Sequence, residues 1–494
     1  TFTDVWLKAL DDAIKLKADV INMSLGSPAG FTHEGRKHRE TEIFRRAKAA
    51  GIVVSVAGGN EGSITRGNVY GENPLEGNYD TSLIANPAVN EDSLAVASME
   101  SATRQAYLYS WGRRMRSEAE ANLYIPDGYT GGDITRPFTD LRKGDGLDKI
   151  KGLNGHIAMI EVPDNDKTGA FAGKVQQIAS KHPAGIVLYN SEKMGENIGG
   201  RLTLQGEVGT YVIGRMKRST YESISKADGG KSLLTIHTKV SPVANPNAGK
   251  VSEFSSWGPA PDLRIKPEIT AIGGSVYSTA ENNKYQNMSG TSMASPQVAG
   301  AAAIIKQMLH ENGMKVGNEA DFTKTLLMNT AAPILDRQAS HSPYFVRRQG
   351  AGALDLKKAV SNKVTVTATG TNDAVQDAKL ELKELGAKKF TAVLKLKNYG
   401  DKTKTYHISS QALYEPLNGN SQRSESSAVV ESAQNGKGQD GAVAAHSEAA
   451  VSMTLDYSDA GQIKDGNYIE GYLTLKDKDA DARNRADLSV PFLG

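Results

Sequence analysis

The strongest constraint on this chain is a cluster of small residues around Ser292 that leads into a long apolar segment. Gly290 precedes the serine, Pro296 follows it, and alanine, valine and isoleucine dominate the sequence just beyond Ser295. Such a segment predicts a buried helix that packs closely against a sheet. The Ser292 hydroxyl would lie at the positive end of that helix, where developing negative charge is stabilised. The pattern therefore indicates a serine presented as a nucleophile, with a simple helix cap as the alternative.

A second signal is the β-branched run Ile52-Val-Val-Ser-Val-Ala-Gly-Gly-Asn60, which predicts a buried parallel strand. Groups that bind ligands collect at the carboxyl ends of such strands, and Asn60 falls at this end. Taken alone, Asn60 would be a turn residue after the strand. Together with Ser292, it becomes a candidate residue of a functional site.

A third signal is the segment Asp19-Val-Ile-Asn-Met-Ser-Leu-Gly26, in which a short apolar strand is interrupted at its end. Taken alone, it would be an ordinary strand followed by a glycine turn.

These three segments, in this order, resemble the motifs of the subtilisin family of serine proteases. The resemblance implies that Ser292 is the nucleophile and that the Asn60 side chain, helped by the Ser292 backbone amide, binds the oxyanion. It also implies that the substrate pairs as an added strand and that small residues line the pocket before the scissile bond. The residues expected to bind substrate are Ser24, Leu25, Gly26, Ala57, Gly58, Gly59, Gly290 and Thr291.

The general base is missing from this pattern. A serine nucleophile needs a base, usually a histidine that a carboxylate orients, and none of the nine histidines has the family's context. In the family, the Asp and His motifs precede a helix like the one that residues 1–18 predict by their apolar spacing. We therefore expect this sequence to open inside a catalytic domain, as a processed C-terminal fragment. The expected partners are an N-terminal fragment of the same protease, which carries the catalytic Asp and His, and a protein substrate.

Length and composition limit the classes of protein to which this chain can belong. A chain of 494 residues predicts two or three domains, and a net charge of +2 indicates no nucleic-acid partner. No apolar run reaches the length of a membrane span. The absence of cysteine excludes disulfides and thiolate metal sites. The chemistry requires no cofactor; the family resemblance allows a structural calcium ion, although no ligand cluster points to particular residues and no metal ligand is predicted.

The fold class predicted is α/β: a subtilisin-like parallel sheet with helices on both faces, incomplete in this chain. Residues 1–115 are expected to form the first part of the catalytic domain and residues 241–360 the part with the nucleophile. Residues 116–240 resemble an inserted protease-associated domain, with a continuation of the α/β sheet as the alternative. Alternating patterns in residues 361–494 predict an antiparallel β-sandwich, with a loop at 419–448. The segment resembles a fibronectin type III-like domain.

This domain order is similar to that of the cell-envelope proteases of Gram-positive bacteria. They include the lactocepin-type proteases of lactococci and streptococcal peptidases that cleave chemokines or complement fragments. The resemblance implies a secreted or cell-wall-anchored serine endopeptidase that acts on extracellular proteins, with a non-catalytic pseudoprotease used for adhesion as the alternative. Two positions depart from the family pattern, since Glu268 replaces an aspartate and Ile272 a proline. We interpret both as divergence that leaves the chemistry unaffected.

Overall fold

A computed structural model of the chain describes most of its residues, which form two compact units. The first unit comprises Thr1–Ala102 and Asn245–Gly494, and the second comprises Thr103–Ala244. Among the residues that the structure describes, no helix combines the length and apolar character needed to cross a membrane. The described residues are 3–31, 38–63, 83–112, 115, 117–126, 128–164, 170–196, 206–227, 233–337, 342–370, 376–414, 428–430, 439–457, 468–479 and 487–494.

The N-terminal part of the first unit alternates helices and strands. Trp6 and Leu10 form the buried face of its first helix, as the apolar spacing predicts. The Trp6 ring packs against Phe44 of the second helix, with 6.2 Å between the ring centroids. The elements are α1 (Thr3–Lys15), β1 (Val20–Met23), α2 (Arg39–Ala49), β2 (Val53–Ala57) and β3 (Leu94–Glu100).

The second unit is built on an eight-stranded sheet. Its elements are β4 (Thr103–Trp111), β5 (Ser117–Tyr124), β6 (Ile134–Asp140), β7 (Ile157–Val162), α3 (Ala170–Ala179), β8 (Gly185–Asn190), β9 (Ile213–Met216), α4 (Arg218–Lys226), β10 (Leu233–Ile236) and β11 (Ser241–Ala244). The strand order is β10-β6-β7-β8-β9-β5-β4-β11, and the run from β6 to β9 is parallel. The unit extends beyond the residues 116–240 expected from sequence. Thr103 in β4 pairs with Ala244 in β11, so both ends belong to the same sheet.

The chain then returns to the first unit and completes its parallel sheet. The elements are β12 (Ile269–Gly274), β13 (Val276–Ala280), β14 (Lys284–Met288), α5 (Thr291–Glu311), α6 (Glu319–Thr330), β15 (Leu335–Asp336), β16 (Ser342–Pro343), α7 (Val346–Gln349) and α8 (Leu356–Ser361). The sheet has four parallel strands in the order β1-β2-β3-β12. Val298 and Ile305 of α5 pack with Val53 and Val96 on one face, whereas α1 and α2 cover the other. The predicted arrangement of helices on both faces of a parallel sheet is therefore observed.

The helix that carries Ser292 differs from the expectation in one respect. Its apolar composition predicts burial on nearly every side, but Pro296, Gly300, Ala303 and Ile304 are exposed. Ile304 retains 44% of its accessible surface. Because these residues recur at helical spacing, they form one continuous exposed face of α5.

The C-terminal residues of the first unit form the predicted sandwich. Its strands are β17 (Val364–Gly370), β18 (Leu380–Glu381), β19 (Lys389–Asn398), β20 (Lys404–Tyr414), β21 (Ala428–Val430), β22 (Gln439–Val443), β23 (Glu448–Asp456), β24 (Glu470–Asp477) and β25 (Leu488–Leu493). A β17-β19-β23 sheet faces the remaining six strands, and their inner side chains share one core. The expected loop at 419–448 is wrong in part, since β21 and β22 lie within it and pair with β20. Residues 419–427 and 431–438 lie outside the described residues.

A buried ionic cluster ties the sandwich to the parallel sheet. The Glu268 carboxylate at the start of β12 is fully buried and lies 2.9 Å from Lys266 Nζ, 2.7 Å from Lys324 Nζ and 3.0 Å from Lys379 Nζ. Lys379 lies directly before β18 of the sandwich, and it also pairs with Glu381 at 2.8 Å. Burial alone would raise the pKa of Glu268, but the three lysines hold it well below its usual range. Glu268 is therefore a structural centre of the first unit.

Candidate active site

Ser292 lies in the first turn of α5, as the sequence predicts. The residue is half-buried, and its Oγ lies 3.5 Å from the backbone oxygen of Ser24 at the end of β1. The Ser24 hydroxyl in turn donates to the Ser292 carbonyl at 2.7 Å. These contacts bring the end of the first strand against the candidate nucleophile.

Asn60 lies beside the same helical turn, directly after β2. Its Oδ1 accepts hydrogen bonds from the Thr291 backbone N–H at 2.9 Å and from the Thr291 hydroxyl at 3.0 Å. Both acceptor contacts fix the plane of the amide and leave Nδ2 on its other side. A Cβ placed on Gly290 would lie 3.4 Å from that nitrogen, so Nδ2 faces the glycine. Among the described residues, Nδ2 donates no hydrogen bond, and Asn60 is partly exposed.

The turn that carries Asn60 is held by two residues that the sequence reasoning missed. The Glu61 carboxylate accepts from the Asn60 backbone N–H at 2.8 Å and from the Ser256 hydroxyl at 2.9 Å. Gly59 has a φ of 115°, and a Cβ there would lie 2.5 Å from the Ser256 oxygen, so glycine is required. The only sequence signal was the position of Glu61 next to Asn60, because Ser256 lies far along the chain.

The predicted substrate-binding residues converge at the carboxyl ends of two adjacent parallel strands. Met23 in β1 pairs with Val56 in β2, so the residues that follow each strand lie side by side. A Cβ on Gly26 would lie 2.8 Å from the Ala85 Cβ, and one on Gly58 would lie 2.9 Å from the Val96 oxygen. The residues brought together at this edge are Ser24, Leu25, Gly26, Ala57, Gly58 and Gly59, with Gly290 and Thr291 beside them.

The described residues do not add a base to this site. Within those ranges, no histidine side chain is hydrogen-bonded to Ser292, and several histidines pair with carboxylates elsewhere, such as His310 with Glu319 at 3.1 Å. No group of three or more His, Asp or Glu in the described ranges is arranged to hold a metal ion. Among the described residues, the site therefore combines the Ser292 hydroxyl, the Asn60 amide donor and the backbone that follows β1 and β2.

Comparison with known proteins gives matches over nearly the whole chain. Residues 2–352 match the Subtilase family and residues 380–493 match an Fn3-like domain. A PII-type proteinase of Lacticaseibacillus paracasei is 28% identical over 522 aligned positions, which cover 99% of this chain and 26% of the proteinase. A C5a peptidase of Streptococcus pyogenes serotype M3 is 26% identical over 498 positions, covering 99% of this chain and 40% of the peptidase. The chain thus spans well under half the length of these relatives.

Proposed function

We propose that this chain, which belongs to the subtilase family, is the nucleophile-bearing part of a secreted or cell-wall-anchored serine endopeptidase. The observation that carries the proposal is the contact of Asn60 with the helical turn that begins at Thr291. Because Oδ1 is engaged by Thr291, the Nδ2 donor is available for a substrate oxygen. Preorganised donors of this kind stabilise the charge that develops on the carbonyl oxygen during acyl transfer.

In this reaction the Ser292 Oγ attacks the carbonyl carbon of the scissile peptide bond. The carbonyl oxygen becomes an oxyanion, which accepts hydrogen bonds from Asn60 Nδ2 and from the Ser292 backbone N–H. A base must take the hydroxyl proton and deliver it to the leaving amine, since a serine at its free pKa is too weak a nucleophile. The chemistry uses no cofactor.

We place that base, with its orienting carboxylate, on an N-terminal segment of the same protease that docks on this chain. Two features support the docking. β1 pairs with β2 on one side and, among the described residues, with no strand on the other. The exposed face of α5, formed by Pro296, Gly300, Ala303 and Ile304, adjoins Ser292 in the same helix. A segment that adds a strand to β1 and covers α5 would bury both surfaces and bring a histidine to the nucleophile.

The substrate proposed is an extended stretch of an extracellular protein. The edge at Ser24–Gly26 offers backbone groups for an added strand, and the glycines that follow β2 leave room for a side chain. The matched relatives are named as proteinases and as a C5a peptidase, so host chemokine or complement proteins are the substrates to test first. We further propose that Thr103–Ala244 is the protease-associated domain that the sequence resembles.

The experiment is reconstitution. Residues 1–494 are purified alone and together with an N-terminal segment that carries the catalytic Asp and His, and hydrolysis of a chemokine and of C5a is measured. We expect turnover only from the complex, with both chains eluting together in size-exclusion chromatography. A matched Ser292→Ala complex should bind the segment but not turn over. A well-formed wild-type complex without peptidase activity would instead favour a non-catalytic binding protein.

A further inference from the structure

The carbonyl of Ser292 lacks its ordinary helical partner. In an α-helix, the oxygen of residue 292 accepts a hydrogen bond from the N–H of residue 296. Residue 296 of α5 is proline, which has no N–H, and its ring also presses on the carbonyl four residues earlier. The backbone of the candidate nucleophile is therefore left without one of the bonds that would fix it.

Ser24 supplies the missing donor. Its hydroxyl donates to the Ser292 oxygen at 2.7 Å, across 268 positions of sequence. The contact lies at the protein surface, and a net hydrogen bond of this kind contributes about 0.5–1.5 kcal/mol to holding the first turn of α5 in the conformation observed. The donor comes from the residue that follows β1 and not from the helix itself, which makes the position of Ser292 depend on the end of that strand.

Asn22 holds Ser24 in the required orientation. Asn22 Nδ2 donates to Ser24 Oγ at 3.0 Å, so the Ser24 hydroxyl proton is directed to the Ser292 carbonyl. Asn22 Oδ1 accepts from the hydroxyl of Ser295 at 2.8 Å. Ser295 is fully buried, and its backbone oxygen accepts from Ser55 of β2 at 2.9 Å. The bonds from Ser295 to Asn22, to Ser24 and to Ser292 all point the same way, an arrangement in which each bond strengthens the next.

We propose that Asn22 and Ser24 are positioning residues for the nucleophile. Together they supply the Ser292 carbonyl with a hydrogen-bond donor in place of the backbone N–H that Pro296 lacks. The inference rests on the proposed function of Ser292. It assigns a task to Asn22, which the sequence reasoning did not single out. It also changes the task of the Ser24 side chain, since the sequence predicts substrate binding there. The Ser24 backbone oxygen lies 3.5 Å from Ser292 Oγ, so the positioning role belongs to the Ser24 hydroxyl alone.

Pro296 makes the proposal testable, because Pro296→Ala restores an N–H that can donate to the Ser292 carbonyl. In the reconstituted complex, Ser24→Ala should lower kcat about ten- to a hundredfold with KM nearly unchanged, since a small displacement of a reacting group has effects of this size. In the Pro296→Ala background the same substitution should cost less than about threefold. Ser27→Ala is the matched control, because Ser27 is an exposed serine nearby whose hydroxyl makes no hydrogen bond among the described residues.

Asn22→Asp tests the direction of the bonds. An aspartate can still accept from Ser295, but it cannot donate to Ser24, whose hydroxyl would turn to the carboxylate and leave Ser292. We expect kcat to fall as in Ser24→Ala, and the double variant to be no worse than either single one. Equal losses from Ser24→Ala in both backgrounds, or a change confined to KM, would overturn the positioning role.

A stability measurement separates this proposal from the proposed function, because it needs no turnover. Ser24→Ala should lower the melting temperature of the full chain by about 1–2 °C, and by clearly less when Pro296 is alanine. That coupling is expected even if the reconstituted wild type proves inactive, in which case only the peptidase assignment fails. Identical shifts in the two backgrounds would show that the Ser24 hydroxyl does not replace the missing helical donor.

Discussion

Replacing Glu268 with glutamine should be among the most destabilising single substitutions in the first unit. The change preserves the shape of the side chain but removes the one carboxylate on which Lys266, Lys324 and Lys379 converge. Glu268 Oε2 also accepts from the backbone N–H of Ala95 at 2.9 Å, so the cluster is joined to β3 as well. An amide can keep that last bond but cannot balance the charge of the buried lysines.

The size of the effect follows from the burial of the cluster. Removing one partner from a buried ion pair costs about 3–5 kcal/mol, because the charges left behind stay buried. Lys379 keeps Glu381 at 2.8 Å and Lys324 keeps Asp377 at 3.4 Å, but the carboxylate that the three lysines share is lost. The first unit has about 350 residues, each contributing about 2.1 cal/mol/K to the entropy of unfolding, so the melting temperature should fall by about 4–7 °C. The sandwich and the parallel sheet should unfold together, because Lys379 of the cluster belongs to the sandwich and Glu268 to the sheet.

Differential scanning calorimetry measures this shift, and the chain provides a matched control. Glu448 pairs with Lys395 at 2.7 Å and with Lys397 at 3.0 Å, but it lies at the surface with 41% of its side chain exposed. Glu448→Gln should therefore move the melting temperature by less than about 1 °C. If Glu268→Gln were no more harmful than Glu448→Gln, the buried cluster would not stabilise the unit and the reasoning from burial would be wrong.

Two further predictions concern pH and turnover. Burial lowers the pKa of Lys266 to about 7, although the nearby Glu268 carboxylate acts in the opposite direction. The pKa of a lysine in an unfolded chain is about 10.4. The unfolded chain thus binds more protons between these pH values, so the Lys266 contribution to stability should grow as pH rises from about 7 to 10. The midpoints of urea denaturation should rise over this pH range, and the Lys266→Met substitution should make the rise smaller. Asn60→Asp retains the acceptor for Thr291 but loses the Nδ2 donor, so turnover of the complex should fall about 100- to 1000-fold with little change in melting temperature. A large thermal shift with modest loss of turnover would instead make Asn60 a structural turn residue.

Much of the fold could be predicted because its signals are local. The apolar spacing of residues 1–18 predicts α1, the β-branched run at 52–56 predicts most of β2, and the small residues before Pro296 predict the start of α5. Each of these patterns predicts one helix or strand and the face of that element that is buried. The alternating patterns after residue 361 likewise predict strands of the sandwich.

The features that the sequence did not reveal depend on distant contacts. Glu268 appeared to be a harmless divergence, because its partners Lys324 and Lys379 carry no pattern that links them to it. The sequence predicts an inserted segment at 116–240, whereas the second unit spans Thr103–Ala244, because the pairing of Thr103 with Ala244 is visible only in the folded sheet. The role of Asn22 was missed for the same reason, although Pro296 was a signal: a proline four residues after Ser292 implies a carbonyl that needs another donor.

Covalent labelling of Ser292 in the reconstituted complex tests the proposed chemistry most directly. A fluorophosphonate probe reacts with a serine only when a base activates the hydroxyl and an oxyanion hole receives the charge. We expect the probe to modify the complex but not residues 1–494 alone, with the adduct mapped to Ser292 by mass spectrometry and lost in Ser292→Ala. Labelling at another residue, or no labelling of a complex that binds its N-terminal segment stably, would contradict the assignment of Ser292 as the nucleophile.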